Sequence, residues 1–213
     1  MHTCIIFCAG GFEKLARPID ASDYILAADG GLSHLQKLGI KPHGIIGDFD
    51  SLGYIPQDAQ VFPVEKDDTD SMLAVKKGLE LGYRRFEIYG ALDGDRLDHT
   101  IANLQTLTFL SRHGAVGYLV GLKYMVTTLQ NGALRFSEDA EGILSVFCLG
   151  TKAEGVCLEN LKYNLENATL TGDFPLGVSN HFIGQEAKVS VADGILTILY
   201  DAANGFPREE GLC

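Results

Sequence analysis

The feature that most constrains this chain is a change of texture near residue 128. Before it, short β-branched and apolar runs at 3–9, 24–28, 44–46, 86–90 and 115–120 alternate with helical spacing at 32–38, 71–81 and 99–112. Strand, helix, strand is the repeating unit of a parallel sheet covered by helices. Within the second helical stretch Met72, Val75 and Leu79 fall on one stripe, which is expected to face the core. Beyond residue 129 helical spacing stops, and short β-rich segments at 143–149, 168–171, 187–191 and 196–200 follow one another. Asn131-Gly132 and Asp193-Gly194 read as hairpin turns. An α/β unit over 1–128 and a smaller antiparallel β-sandwich over 129–213 are therefore expected.

Charge narrows the range of partners. Seventeen Lys and Arg against 28 Asp and Glu give a net charge of -11, and no run of basic residues opposes it. Such a chain is repelled by a phosphate backbone and by an anionic membrane surface, so neither nucleic acid nor membrane is an expected partner. No 18 apolar residues run together, and the opening residues lack the basic start of a secretion signal. Five cysteines without a paired metal or disulfide spacing fit a reducing, cytoplasmic setting.

Chemistry concentrates in four short motifs, each placed where a strand should end, which is where open α/β sheets collect ligands. Ala28-Asp29-Gly30-Gly31 closes one strand and opens a helix; its glycines allow a tight turn and a close ligand, and the helix N-terminus attracts an anion. In Gly47-Asp48-Phe49-Asp50-Ser51 the alternation of an extended segment aims Asp48 and Asp50 the same way. Two neighbouring carboxylates repel, and a hard divalent cation relieves them at neutral pH, so Mg²⁺ is expected there. Lys66-Asp67-Asp68-Thr69-Asp70 carries more acid than a helix cap requires, which assigns Asp70 to the metal set and Lys66 to phosphate. Arg96-Leu97-Asp98-His99 sets a planar guanidinium at a helix entrance, with His99 and Asn103 on one helical face. Together these motifs imply a ligand made of metal and phosphate.

The same motifs, in this order and completed by Gly177-Val178-Ser179-Asn180, resemble the thiamine pyrophosphokinase family. The resemblance implies a Rossmann-like N-terminal domain binding ATP and Mg²⁺, a C-terminal sandwich binding thiamine, and a homodimer with thiamine between subunits. It matches Asp48, Asp50 and Asp70 to magnesium-binding aspartates, Asp29 to a further acidic position, and Ser179 and Asn180 to the thiamine site. Gly30, Gly31, Ser51, Lys66, Thr69, Arg96, His99 and Asn103 are the expected ATP contacts. Two departures stand out. The loop from Gly90 to Arg96 is one residue longer than the family's usual pattern, and the chain has no tryptophan, which leaves Phe182 or Tyr163 to stack on thiamine.

The implied reaction is attack of the thiamine hydroxyl on the β-phosphorus of ATP with loss of AMP, Asp98 or Asp70 taking the proton. The competing readings are a Mg²⁺-ATP phosphotransferase acting on another hydroxylated heterocycle, and a non-catalytic nucleotide sensor.

Overall fold

The computed structural model describes residues 2–48, 54–55, 59–61 and 67–211. The chain forms two compact units, Met1–Leu110 with Ala115–Leu122, and Ser111–Gly114 with Lys123–Cys213.

In the first unit the described residues form six parallel strands: β1 (Thr3–Phe7), β2 (Tyr24–Ala28), β3 (Gly44–Gly47), β4 (Gln60–Val61), β5 (Arg85–Tyr89) and β6 (Val116–Val120). Their spatial order is β6-β5-β1-β2-β3-β4. The chain thus builds outward from β1 in one direction and returns to its other side for β5 and β6. The order reverses between β1 and β5, and in open parallel sheets that is where ligands bind.

Three helices accompany the strands: α1 (Leu32–Leu38), α2 (Asp70–Glu80) and α3 (Leu97–Arg112). Cys4, Phe86 and Gly117 lie side by side across β1, β5 and β6. A Cβ on Gly117 would press on Leu107 and Leu110 of α3, and one on Gly78 of α2 would press on the Phe86 ring and the Cys4 sulfur. The buried face of α2 is therefore Ser71, Ala74, Val75 and Gly78. This corrects the expected stripe, of which only Val75 is fully buried: small residues win the inner face because they let the helix axis approach the sheet.

The opposite sheet face carries Ile5, Glu87 and Tyr118 in one row. Glu87 is fully buried, and its charge is met by Arg17 from the connection between β1 and β2. Arg17 Nε donates to Glu87 Oε1 at 2.7 Å, while its two Nη groups donate to Asp23 at 2.7 and 3.1 Å. Tyr89 OH donates to Glu87 Oε2 at 3.1 Å and accepts from the Ala16 amide at 3.2 Å. One guanidinium straps an irregular connection onto the sheet.

The second unit is antiparallel: β7 (Tyr124–Phe136), β8 (Ile143–Phe147), β9 (Lys152–Glu159), β10 (Leu165–Thr171), β11 (Gly177–His181), β12 (Ala187–Asp201) and β13 (Arg208–Glu210). β12 pairs with β7 along its length; on its other edge it pairs with β9 through its first half and with β8 through its second. Asn131-Gly132 and Asp193-Gly194, expected as hairpin turns, instead lie inside β7 and β12. The register shifts between Val191 and Ile195, Asn131 sits at φ +47° and Gly194 at φ +116°, and the Gly194 amide donates to Asn131 Oδ1 at 3.0 Å. Left-handed residues within a ladder make a bulge that bends both strands. The bend folds the pair on itself: Phe136 and Tyr200 lie near opposite ends of the ladder, yet their ring centroids are 5.0 Å apart.

Candidate active site

The carboxyl ends of β1, β2 and β5 open into a cleft of about 310 Å³. Part of its wall is backbone. The turn after β1 and the loop after β5 are locked together: the amides of Cys8, Gly10 and Gly11 donate to the carbonyls of Tyr89, Gly90 and Asp93 at 2.8, 2.9 and 2.7 Å. Gly90 has φ +68°, and a Cβ there would collide with the Cys8 carbonyl, so no other residue lets the loops approach this closely. Asp93 also accepts the Leu122 amide at 2.7 Å, which anchors the longer loop ahead of Arg96. Cys8, Ala9 and Gly10 also line the cleft; their mark in the sequence is the Gly10-Gly11 pair two residues past β1, a counterpart of Gly30-Gly31 past β2.

Six of the expected site residues meet in this cleft: Asp29, Thr69, Asp70, Arg96, His99 and Asn103. Asp29 follows β2 in a left-handed conformation, φ +46°, with its Oδ1 buried. Strained conformations of about 1 kcal/mol or more persist where function holds them. Asp70 opens α2, where a carboxylate suits the helix dipole, and the preceding Thr69 caps the helix by accepting the Met72 amide. Below them the Cys8 thiol is pushed up to about 12 by burial and by the charge of Asp70, so it stays neutral and unreactive.

The other expected residues fall elsewhere. Gly31 is buried beside β1, where a Cβ would collide with the Phe7 carbonyl; its glycine serves chain packing, and neither it nor Gly30 lines the cleft. Asp48 is half-buried at the end of β3, the strand next to β2, and a Cβ on Gly47 would stand 3.0 Å from Asp29 Cα. Asp50, Ser51 and Lys66 lie outside the described residues. Asp98 does not line the cleft; it grips the 68% exposed Arg96 side chain through a two-pronged contact at 2.9 and 2.6 Å. That hydrogen bonding holds the Asp98 carboxyl at about 2, well below the ordinary carboxylate value.

No group of three or more metal-ligating side chains occurs among the described residues. Asp29 at the end of β2, Asp70 at the start of α2 and Asp95 bring carboxylate oxygens to the cleft wall, and hard oxygen donors of this kind suit a divalent cation such as Mg²⁺.

In the second unit, Ser179 stands in β11 at φ +62°, exposed, its amide donating to Ser145 Oγ at 3.0 Å. Asn180 is buried. Its Oδ1 accepts the amides of Tyr163 and His181, each at 2.9 Å, and its Nδ2 donates to the Tyr163 carbonyl at 2.6 Å. The side chain is spent on holding the 163 segment and the turn at Ser179. Of the two aromatic candidates, Phe182 packs on Phe136 in the core, whereas Tyr163 is 57% exposed.

Residues 15–116 match the family model described as thiamin pyrophosphokinase, catalytic domain, and residues 131–196 match thiamin pyrophosphokinase, vitamin B1 binding domain. The chain belongs to the thiamin pyrophosphokinase family. A thiamine pyrophosphokinase of Bacillus subtilis (strain 168) is 28% identical over 211 residues, covering 90% of this chain and 95% of the relative. The crystal structure of thiamine pyrophosphokinase from Bacillus subtilis has a TM-score of 0.80 at 26% identity, covering 93% of this chain and 98% of that one. The structure of thiamin pyrophosphokinase from Geobacillus thermodenitrificans gives 0.78 at 26% identity, covering 94% and 97%. The thiamin pyrophosphokinase catalytic-domain match begins after the Cys8–Gly11 turn, so the cleft draws on residues outside it as well as on Asp29, Asp70 and Arg96 within it.

Proposed function

We propose that this thiamin pyrophosphokinase family member is an enzyme that transfers the pyrophosphoryl group of ATP to the hydroxyl of thiamine, giving thiamine diphosphate and AMP. The carrying observation is the cleft at the reversal of strand order, where carboxylates, a guanidinium and glycine backbone meet from three strand ends. The parallel α/β unit is the Rossmann-like ATP domain and the antiparallel unit, whose main stretch begins at Lys123 ahead of β7, the thiamine domain. Arg96 and His99, on the cleft wall, meet ATP together with Ser51 and Lys66, and Arg96 and Lys66 balance charge on the phosphates. Catalysis is chiefly alignment of hydroxyl and β-phosphorus together with charge neutralisation. Mg²⁺ held by Asp48, Asp50 and Asp70, with Asp29 beside them, supplies Lewis-acid polarisation of phosphate oxygens when bound. The net charge of -11 favours the approach of cationic thiamine.

Thiamine is held near Ser179 and Asn180 at the interface of a homodimer. Phe174, Leu176 and Val178 support that assembly: they are exposed and spaced two apart on the segment that enters β11, a surface suited to a second copy. No helix among the described residues is long and apolar enough to cross a membrane, and a cytoplasmic location suits the free thiols.

Incubating the protein with Mg²⁺, ATP and thiamine is expected to yield thiamine diphosphate and AMP in equal amounts, read by chromatography. ADP formed with another alcohol and not with thiamine would overturn this reading. Asp98 is not the proton acceptor in this reading: it does not line the cleft, and its hydrogen bonds to Arg96 hold its carboxyl low, at about 2. At neutral pH Asp98→Asn is expected to keep turnover within about tenfold of the parent, and a loss of about 100-fold or more, the contribution of a general base, would assign that role to Asp98.

A further inference from the structure

A line of hydrogen-bonded side chains runs along the cleft wall, and its two ends determine which way each of its hydrogen bonds points. Asn103 Nδ2 lies 2.9 Å from the Ala91 carbonyl, which only accepts, so the amide nitrogen must face Ala91 and Oδ1 must face Ser71. Ser71 Oγ, 2.7 Å from Oδ1, is therefore the donor. Its single proton being used, the 3.0 Å contact between Thr69 Oγ1 and Ser71 Oγ takes its proton from Thr69. Thr69 Oγ1 in turn accepts the Met72 amide at 3.2 Å. Four hydrogen bonds run one way, from the first turn of α2 through α3 to the loop after β5.

This direction has a chemical consequence. Phosphate oxygens only accept, and neither hydroxyl in the line has a proton left to give them. The line also brackets Asp70, whose two neighbours in sequence are its members, while Ser71 and Asn103 are themselves buried. We infer that Thr69, Ser71 and Asn103 are positioning residues: the line ties the first turn of α2, which carries Asp70 on the cleft wall, to α3 and the loop after β5, and it leaves the Thr69 and Ser71 hydroxyls no proton to give ATP. The inference rests on the reading of Asp70 as a cation ligand. It revises the roles expected of Thr69 and Asn103 and gives Ser71 one.

The test is Mn²⁺ binding to the whole protein without nucleotide, followed by electron paramagnetic resonance, with thermal unfolding in parallel. Ser71→Ala is expected to weaken Mn²⁺ binding about 10-fold, the lower end of the loss when a direct partner of a metal ligand is removed, because Ser71 acts through the first turn of α2. Asn103→Ala, which cuts the same line from α3, should give the same loss, and the double variant should add less than about threefold, since a broken line is not broken twice. Ser71→Thr, which keeps the hydroxyl, should restore binding. Unchanged Mn²⁺ affinity in both single variants, with Asp70→Asn weakened, overturns the inference and leaves the reading of Asp70 standing. Unchanged affinity in Asp70→Asn overturns both.

Discussion

Replacing Asp70 by asparagine is expected to lower turnover about 100-fold or more while leaving the fold in place. Asn has the same shape and the cap of α2 is Thr69, so the cost to α2 is the lost charge at the helix dipole, about 0.3 to 1 kcal/mol. The cost to catalysis is larger. A cation ligand that becomes neutral weakens the polarisation of the phosphate oxygens, and about 3 kcal/mol of transition-state stabilisation corresponds to about 100-fold in rate. Asp70 also sits on the cleft wall with the raised Cys8 thiol beneath it, so its charge is felt in a partly desolvated place. Steady-state formation of thiamine diphosphate, with circular dichroism as the control for folding, decides the matter. A variant within about twofold of the parent would move the cation site away from Asp70.

The second large effect is on stability. Arg17→Met is expected to cost about 3 to 5 kcal/mol, because it leaves the carboxylates of Glu87 and Asp23 buried beside the sheet without their guanidinium. Against a typical total of about 5 to 15 kcal/mol this is a large share. The loss should appear as a lower midpoint in urea unfolding. Replacing Glu87 by leucine in the same protein should recover part of it, since an apolar pair often replaces a buried ion pair at no net cost. A midpoint shift equivalent to less than about 1 kcal/mol would mean that water reaches these carboxylates once Arg17 is gone.

The parallel sheet was legible because its strands are buried on both faces and read as unbroken apolar runs, such as Cys4 to Phe7. Asp29 and Asp70 were legible as cleft residues for a related reason, since charge where a strand ends or a helix begins marks where the chain leaves the core. The inner face of α2 was not legible. Hydrophobicity ranks Met72 and Leu79 above Ser71 and Gly78, but the helix sits too close to Phe86 and Cys4 for large side chains. Nor was the fate of Asn131-Gly132 and Asp193-Gly194: a left-handed residue serves a turn and a bulge equally, and only the partner strand decides between them. Arg17 gave no local signal either, because its two partners are 6 and 70 residues away in the chain.

In the second unit β7 and β12 belong at once to the layer that contains β9 and β10 and to the layer that contains β8 and β11. Neither layer can melt alone, since loss of one strips the backbone partners of strands on which the other depends. Opening of this unit is therefore expected to be all-or-none, with the amides of β12 the last to exchange with solvent in a hydrogen-exchange measurement.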